Sequence, residues 1–146
     1  MALFHKITEY FGPQAEDAGV HLTIEAAPDC LIHADPRLLH RALLNLVANA
    51  LRHTPAGGTI RLTATMDGDT SHLQIRDTGE GIPAQLLPRL GDRFLRVDEG
   101  RARATGGAGL GLAIVKGILE LHHGAFRVES AEGIGTTVTL SFPFPP

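Results

Sequence analysis

Residues 35–54, DPRLLHRALLNLVANALRHT, decide the fold of this chain. Asp35 followed by Pro36 is a strong helix start, an acid that can cap free N–H groups and then a proline at the first helical position. The run continues unbroken to about Leu51 and ends before Pro55. At 3.6 residues per turn, Leu39, Leu43, Leu46, Val47 and Ala50 form one wide apolar stripe. Asn45, Asn49, Arg52 and His53 lie at i, i+4, i+7 and i+8, a second stripe on another face. Asparagine is a poor residue inside a helix because its amide competes for backbone hydrogen bonds. Two in register mark either a solvated polar face or a chemical duty. Amide oxygens are neutral ligands for a hard cation such as magnesium, and the Arg and His beyond them can reach phosphate oxygens.

Working outward, residues 4–18 read as an amphipathic helix interrupted or ended near Gly12-Pro13. Residues 21–26 alternate like a strand, and 30–33 are expected to pair with it. Residues 59–66 and 72–77 alternate on either side of Asp67-Gly68-Asp69, a hairpin signal. A short helix is expected over 83–90. Residues 91–107 keep no period and carry Arg93, Arg96, Arg101 and Arg103, which reads as a long loop of the kind that is usually functional. A second long helix over 109–123 is stopped by Gly124. Strands over 126–130 and 136–142 flank a turn at 133–135. The expected fold is a single α+β domain over residues 1–146, a two-layer sandwich with a mixed, mostly antiparallel sheet and helices on one face.

Composition is that of an ordinary globular domain: 146 residues, 43% hydrophobic and 20% charged. The formal charge of −3 gives no bulk attraction for nucleic acid. One cysteine, Cys30, excludes an internal disulfide framework and reads as a small buried strand residue. The longest apolar stretch, 110–121, is broken by Lys116 and Glu120 and is too short to insert in a membrane. The opening residues MALFHKITEY lack the apolar core of a signal peptide.

The 17 glycines cluster. In DTGEG, residues 77–81, an acid at a strand end is followed by glycines; such an acid can accept a hydrogen bond from a base amino group, or simply cap a tight turn. In GAGLGL, residues 107–112, glycines open a helix whose free N–H groups suit an anion. A Rossmann fingerprint fits poorly, since an Arg-rich loop and not a buried strand precedes Gly107. A P-loop is disfavoured because no Gly-Lys-Ser/Thr is present.

In order, these segments resemble the sequence boxes of the histidine-kinase branch of the ATPase superfamily that includes gyrase, the Hsp90 chaperones and MutL. The Asn box is NLVANALRHT, the first glycine box DTGEG, the phenylalanine box DRFLRVD (92–98) and the second glycine box GAGLGL. Gly135-Thr136 stands where the family's last box lies. The resemblance implies a Bergerat-type ATP-binding fold with ATP and magnesium as cofactors. It implies that Asp77 holds the adenine amino group, that Gly79, Gly81 and Ile82 line the purine pocket, and that Thr136 or Thr137 closes its adenine side. Asn49 would hold magnesium with Asn45 nearby, and Arg52 and His53 would contact phosphate or ribose. Gly107, Gly109, Leu110, Gly111 and Leu112 would shape the lid hinge and the phosphate-facing helix start. The segment from Phe94, with Arg96, to Gly107 would be a mobile ATP lid.

The position four before Asn49 holds a glutamate in the superfamily's hydrolases; here it is Asn45, which cannot take a proton. A neutral imidazole already carries a free lone pair, so transfer to histidine fits, with Asn45, Asn49 and Arg52 as the catalytic set. The alternatives are a stand-alone serine kinase of the anti-sigma-factor type and a non-catalytic nucleotide-binding module. No histidine here sits in the family's acceptor pattern. The resemblance therefore implies the catalytic domain of a longer sensor, with its phosphoacceptor domain and a response regulator as partners. It places this domain on the cytoplasmic side of a parent in the bacterial inner membrane. ALRHTPAGGTI and GLAIVKGILELHHG are similar to sensors that control heavy-metal efflux.

Overall fold

The computed structural model describes residues 2–81 and 108–143. At its centre is α2, Pro36–His53, two residues longer than its sequence pattern demands. Asp35 caps it, its Oδ1 accepting from Arg37 N at 2.9 Å and Leu38 N at 3.4 Å. Thr54 leaves the helix in an extended conformation, as a residue before proline must. The buried side chains are Leu39, Ala42, Leu43, Leu46, Val47 and Ala50, the expected stripe with Ala42 added.

Before it come α1, Ala2–Ala18, and β1, His21–Ala26; after it, β2, Thr59–Asp67, and β3, Thr70–Asp77. Then follow α3, Ala108–Leu121, β4, Ala125–Ala131, and β5, Gly135–Pro143. Five strands form one sheet in the order β1-β2-β3-β5-β4. Only β1 and β2 are parallel; the other pairs are antiparallel. Strand alternation gives the sheet one dry face, with Ile60, Leu62 and Ala64 of β2, Leu73 and Ile75 of β3, and Val138, Leu140 and Phe142 of β5 buried. The helices cover that face, while Arg61, Gln74 and Arg76 face outward. This is the expected two-layer sandwich with a mixed, mostly antiparallel sheet. Among the described residues no helix is long and apolar enough to cross a membrane.

Three expectations are corrected. Helix α1 is not broken at Gly12-Pro13 but runs through Pro13. Phe4, Ile7, Phe11 and Ala15 are all buried at helical spacing, and this packing outweighs the lost hydrogen bond at an exposed proline. Residues 30–33 do not pair with β1 and form no strand. Pro28 sits at the second position of a turn closed by Cys30 N donating to Ala27 O at 3.1 Å, which leads the chain away, and β1 takes β2 as its neighbour instead. Cys30 is buried in this loop, not in a strand, and burial pushes its thiol pKa up. The residue that turns α3 off is His123, at φ 54°, and not Gly124. Gly124 N donates to Leu119 O and His123 N to Glu120 O, the paired bonds of a Schellman ending. The expected helix over 83–90 and the loop over 91–107 lie outside the described residues.

That ending sets His122 free to bridge two elements. Its Nδ1–H donates to Ile118 O at 2.7 Å, and its Nε2 accepts from Asp35 N at 3.0 Å. Its ring also meets Phe142 edge-on, with centroids 5.8 Å apart. The N-terminus of α2 is thereby tied to the C-terminus of α3. Replacing His122 by Ala is expected to lower the free energy of unfolding in urea by about 1–3 kcal/mol, because the Asp35 N–H loses its acceptor. An unchanged midpoint would show the bridge to be dispensable.

Candidate functional site

The two faces of α2 meet different surroundings. While its leucines press on the sheet, Asn49 and His53 reach the rim of a pocket that Leu46 and Ala50 also line. The sheet supplies Ile75 and Asp77 from β3, Val128 from β4, and Thr136 and Val138 from β5; Glu80, Gly81 and Leu112 of α3 complete the described wall. The pocket is thus a mostly apolar slot with polar groups at its edges, the usual build of a small-molecule site.

Asp77 ends β3 directly opposite Thr136 in the β3–β5 ladder. Its Oδ1 accepts from Gly79 N at 2.9 Å and from Thr136 N at 3.3 Å. Burial pushes its carboxyl pKa above the usual aspartate value. The two backbone hydrogen bonds and the nearby His53 offset part of that rise. Gly81 follows at φ +76°, and a side chain there would strike the carbonyl of Ala131. Gly135, at φ +150°, lies so close to the Asp77 carbonyl that a β-carbon would collide with it. The turn after β3 is therefore held against the β4–β5 hairpin with no room for side chains. At the end of α2, Asn49 Oδ1 accepts from the Arg52 guanidinium, and His53 Nδ1 lies 3.0 Å from Glu80 Oε1.

Asn49, His53, Asp77, Gly81, Leu112 and Thr136 are brought to one pocket, and Gly79 is bonded to Asp77 beside it. Asn45 is half-buried one turn before Asn49 and Arg52 is exposed beside it; neither is among the pocket's described lining. Of the two threonines, alternation turns Thr136 toward the pocket and Thr137 to the sheet's outer face, opposite Arg76. Gly109, Leu110 and Gly111 lie in the first turn of α3. Ile82, Phe94, Arg96 and Gly107 lie outside the described residues. Sequence reasoning missed Leu46, Ala50, Ile75, Val128, Val138 and Glu80. The signal for Ile75 is its position two before Asp77 on one strand face; Glu80 reads as a polar turn residue.

The family model of the histidine kinase-, DNA gyrase B- and HSP90-like ATPases matches residues 34–146. The chain belongs to this ATPase family. It is 41% identical over 138 residues to the sensor protein IrlS of Burkholderia pseudomallei, covering 94% of this chain and 29% of that protein. Identity to the phosphate regulon sensor protein PhoR of Pseudomonas aeruginosa is 43% over 131 residues, covering 88% of this chain and 30% of that protein. Among solved structures, full-length ShkA in complex with AMPPNP superposes with a TM-score of 0.84 at 32% identity, covering 98% of this chain and 29% of that one. The chain thus spans under a third of the length of these relatives.

The raised pKa of Asp77 has a consequence for stability. A carboxyl whose folded pKa exceeds its unfolded value binds more protons when folded. Stability is then greatest below the ordinary aspartate range, and is lost as pH rises through the folded pKa. Asp77→Asn removes this penalty while keeping an oxygen for Gly79 and Thr136. The variant should unfold at higher urea than wild type at neutral pH, and the gap should close as the medium is acidified toward the ordinary aspartate range. A gap that widens on acidification would mean the carboxylate is net stabilised in the fold.

Proposed function

We propose that this chain binds Mg-ATP in the pocket and donates the γ-phosphoryl group to a histidine on the dimerisation and phosphoacceptor domain of a two-component sensor kinase. The observation that carries the reading is the facing of Asp77 and Asn49 across an apolar slot, in a chain whose relatives are sensor proteins. Asp77 Oδ1 is engaged by two backbone N–H groups, so Oδ2 is left to accept from an adenine amino group. Leu46, Ala50, Ile75 and Val138 offer flat apolar contact for a purine. Gly81 and Thr136 close that end. Arg52 and His53, past Asn49, meet the phosphates or ribose. The resemblance gives Gly109, Leu110 and Gly111 the phosphate-facing start of α3, and gives Gly107, Phe94 and Arg96 to a lid over the nucleotide.

The donor set fits magnesium. No three His, Cys, Asp or Glu side chains stand together among the described residues as a protein-only cage. Magnesium keeps several waters and leans on substrate phosphates, so the single amide oxygen of Asn49 would suffice once the Arg52 guanidinium it accepts from turns to the phosphates. Held by Asn49, the ion would supply neutralisation of phosphate charge. Asn45 beside it holds no proton-accepting group, so water is not activated and the bound nucleotide waits for an imidazole that needs no base. The phosphoryl group passes onward to a response regulator, and the domain works on the cytoplasmic side of a parent anchored in the bacterial inner membrane. What supports this part of the reading is that the relatives are sensor proteins of more than three times the matched length.

With Oδ1 fixed by its backbone donors, Asp77→Asn must turn its amide NH₂ toward the base, donor against donor. ATP and ADP affinity should fall by about tenfold or more in calorimetric titrations. Asn49→Ala should leave the fold intact, yet abolish transfer from γ-labelled ATP to a supplied phosphoacceptor domain. The chain alone should acquire no stable label. Equal nucleotide affinity in the Asp77 variant, or normal transfer by the Asn49 variant, would sink the assignment.

A further inference from the structure

We infer that Glu80 is a positioning residue for His53, fixing which imidazole nitrogen meets the nucleotide; the inference rests on the ATP-binding reading above. His53 is the last residue of α2, where a side chain has freedom to swing and the ring has two tautomers. The Glu80 carboxylate removes both freedoms. An ionised carboxylate only accepts, so at 3.0 Å the His53 nitrogen facing it, Nδ1, carries the proton. Nε2 is then the nitrogen left to the pocket, and among the described residues it has no hydrogen-bond partner.

Two further contacts make this arrangement specific. The backbone of the same two residues is joined, Glu80 N donating to His53 O at 3.2 Å, so the carboxylate starts from a point pinned to the helix end. His53 also acts electrostatically on Asp77, so the ring stands near the pocket's acid as well as against Glu80. Both residues line the pocket, and their side chains are 27% and 42% exposed, open enough for a ligand to reach the ring. A bare Nε2 can only accept, so what it would read is a hydroxyl of the nucleotide's ribose, between the base at Asp77 and the magnesium at Asn49. On this reading Glu80 acts on the nucleotide through the ring.

The test combines imidazole ¹⁵N spectra of the nucleotide-free chain with ADP titrations. The variants are Glu80→Ala, Glu80→Gln, His53→Ala and the Glu80→Ala/His53→Ala pair. Wild type is expected to show His53 as the Nδ1–H tautomer, and Glu80→Ala to lose that preference. Glu80→Ala should weaken ADP binding about fivefold, while Glu80→Gln, which keeps an acceptor oxygen, should stay within about twofold of wild type. In the His53→Ala background, Glu80→Ala should add nothing. An Nε2–H tautomer in wild type, or the same loss of affinity from Glu80→Ala with and without His53, would overturn the positioning role. A wild-type chain that binds no ADP but shows the fixed tautomer would instead overturn the ATP reading, and with it the nucleotide-facing duty of Nε2.

Discussion

The seating of α2 on the sheet is the contact on which the rest depends. Leu39, Leu43, Leu46, Val47 and Ala50 are almost wholly buried, and together they fix the helix's rotation about its axis. A turn of about 100° is one residue on a helix. Any other seating would aim Asn49 and His53 into the core or into open solvent. The hydrophobic effect has no direction of its own, yet here it orients polar chemistry, because both stripes belong to one rigid rod. Leu46 and Ala50 make the link literal, being buried core residues and pocket wall at once.

The opposite wall has a different origin. Asp77 is held by backbone N–H groups from its own turn and from β5, and its neighbours at Gly81 and Gly135 pack too closely for any side chain. Burial works against its charge, and the fold tolerates that cost where a solvated aspartate would avoid it. A cost of this kind, retained at one buried carboxyl in a mostly apolar slot with polar groups at its edges, is what a site selected for ligand chemistry and not for stability would keep.

Much of this was legible in the residues. The Asp35-Pro36 start, the alternating strands around Asp67-Gly68-Asp69 and the two stripes of α2 are local patterns, and the structure has each of them. What escaped is what local pattern cannot carry. Pro13 breaks a helix in isolation, but three large apolar side chains and Ala15 on one face hold α1 through it. Residues 30–33 look like a strand because three of the four are apolar, yet the partner of β1 comes from across α2, as a parallel strand no nearby sequence announces. The choice between Thr136 and Thr137 waited on register, since one residue reverses the face. Glu80 passed for a turn residue because the imidazole it holds lies 27 positions earlier.

These misses share a cause that bears on how the site works. Asn49, Asp77 and Thr136 belong to a helix and two strands with long loops of sequence between them, and none is positioned by its own neighbours alone. Backbone N–H donors join the pieces: Glu80 N to His53 O, Gly133 N to Glu80 O, and Thr136 N to the Asp77 side-chain Oδ1. The turn after β3 therefore sits as a clasp between the end of α2 and the β4–β5 hairpin. A ligand touching Asp77 and Asn49 together would bridge the parts that this clasp joins, and so would add to the stability of the fold by an amount that grows with the logarithm of its concentration above Kd. On the proposed reading, a nucleotide is both the substrate of the domain and one of the contacts that hold its two walls in place.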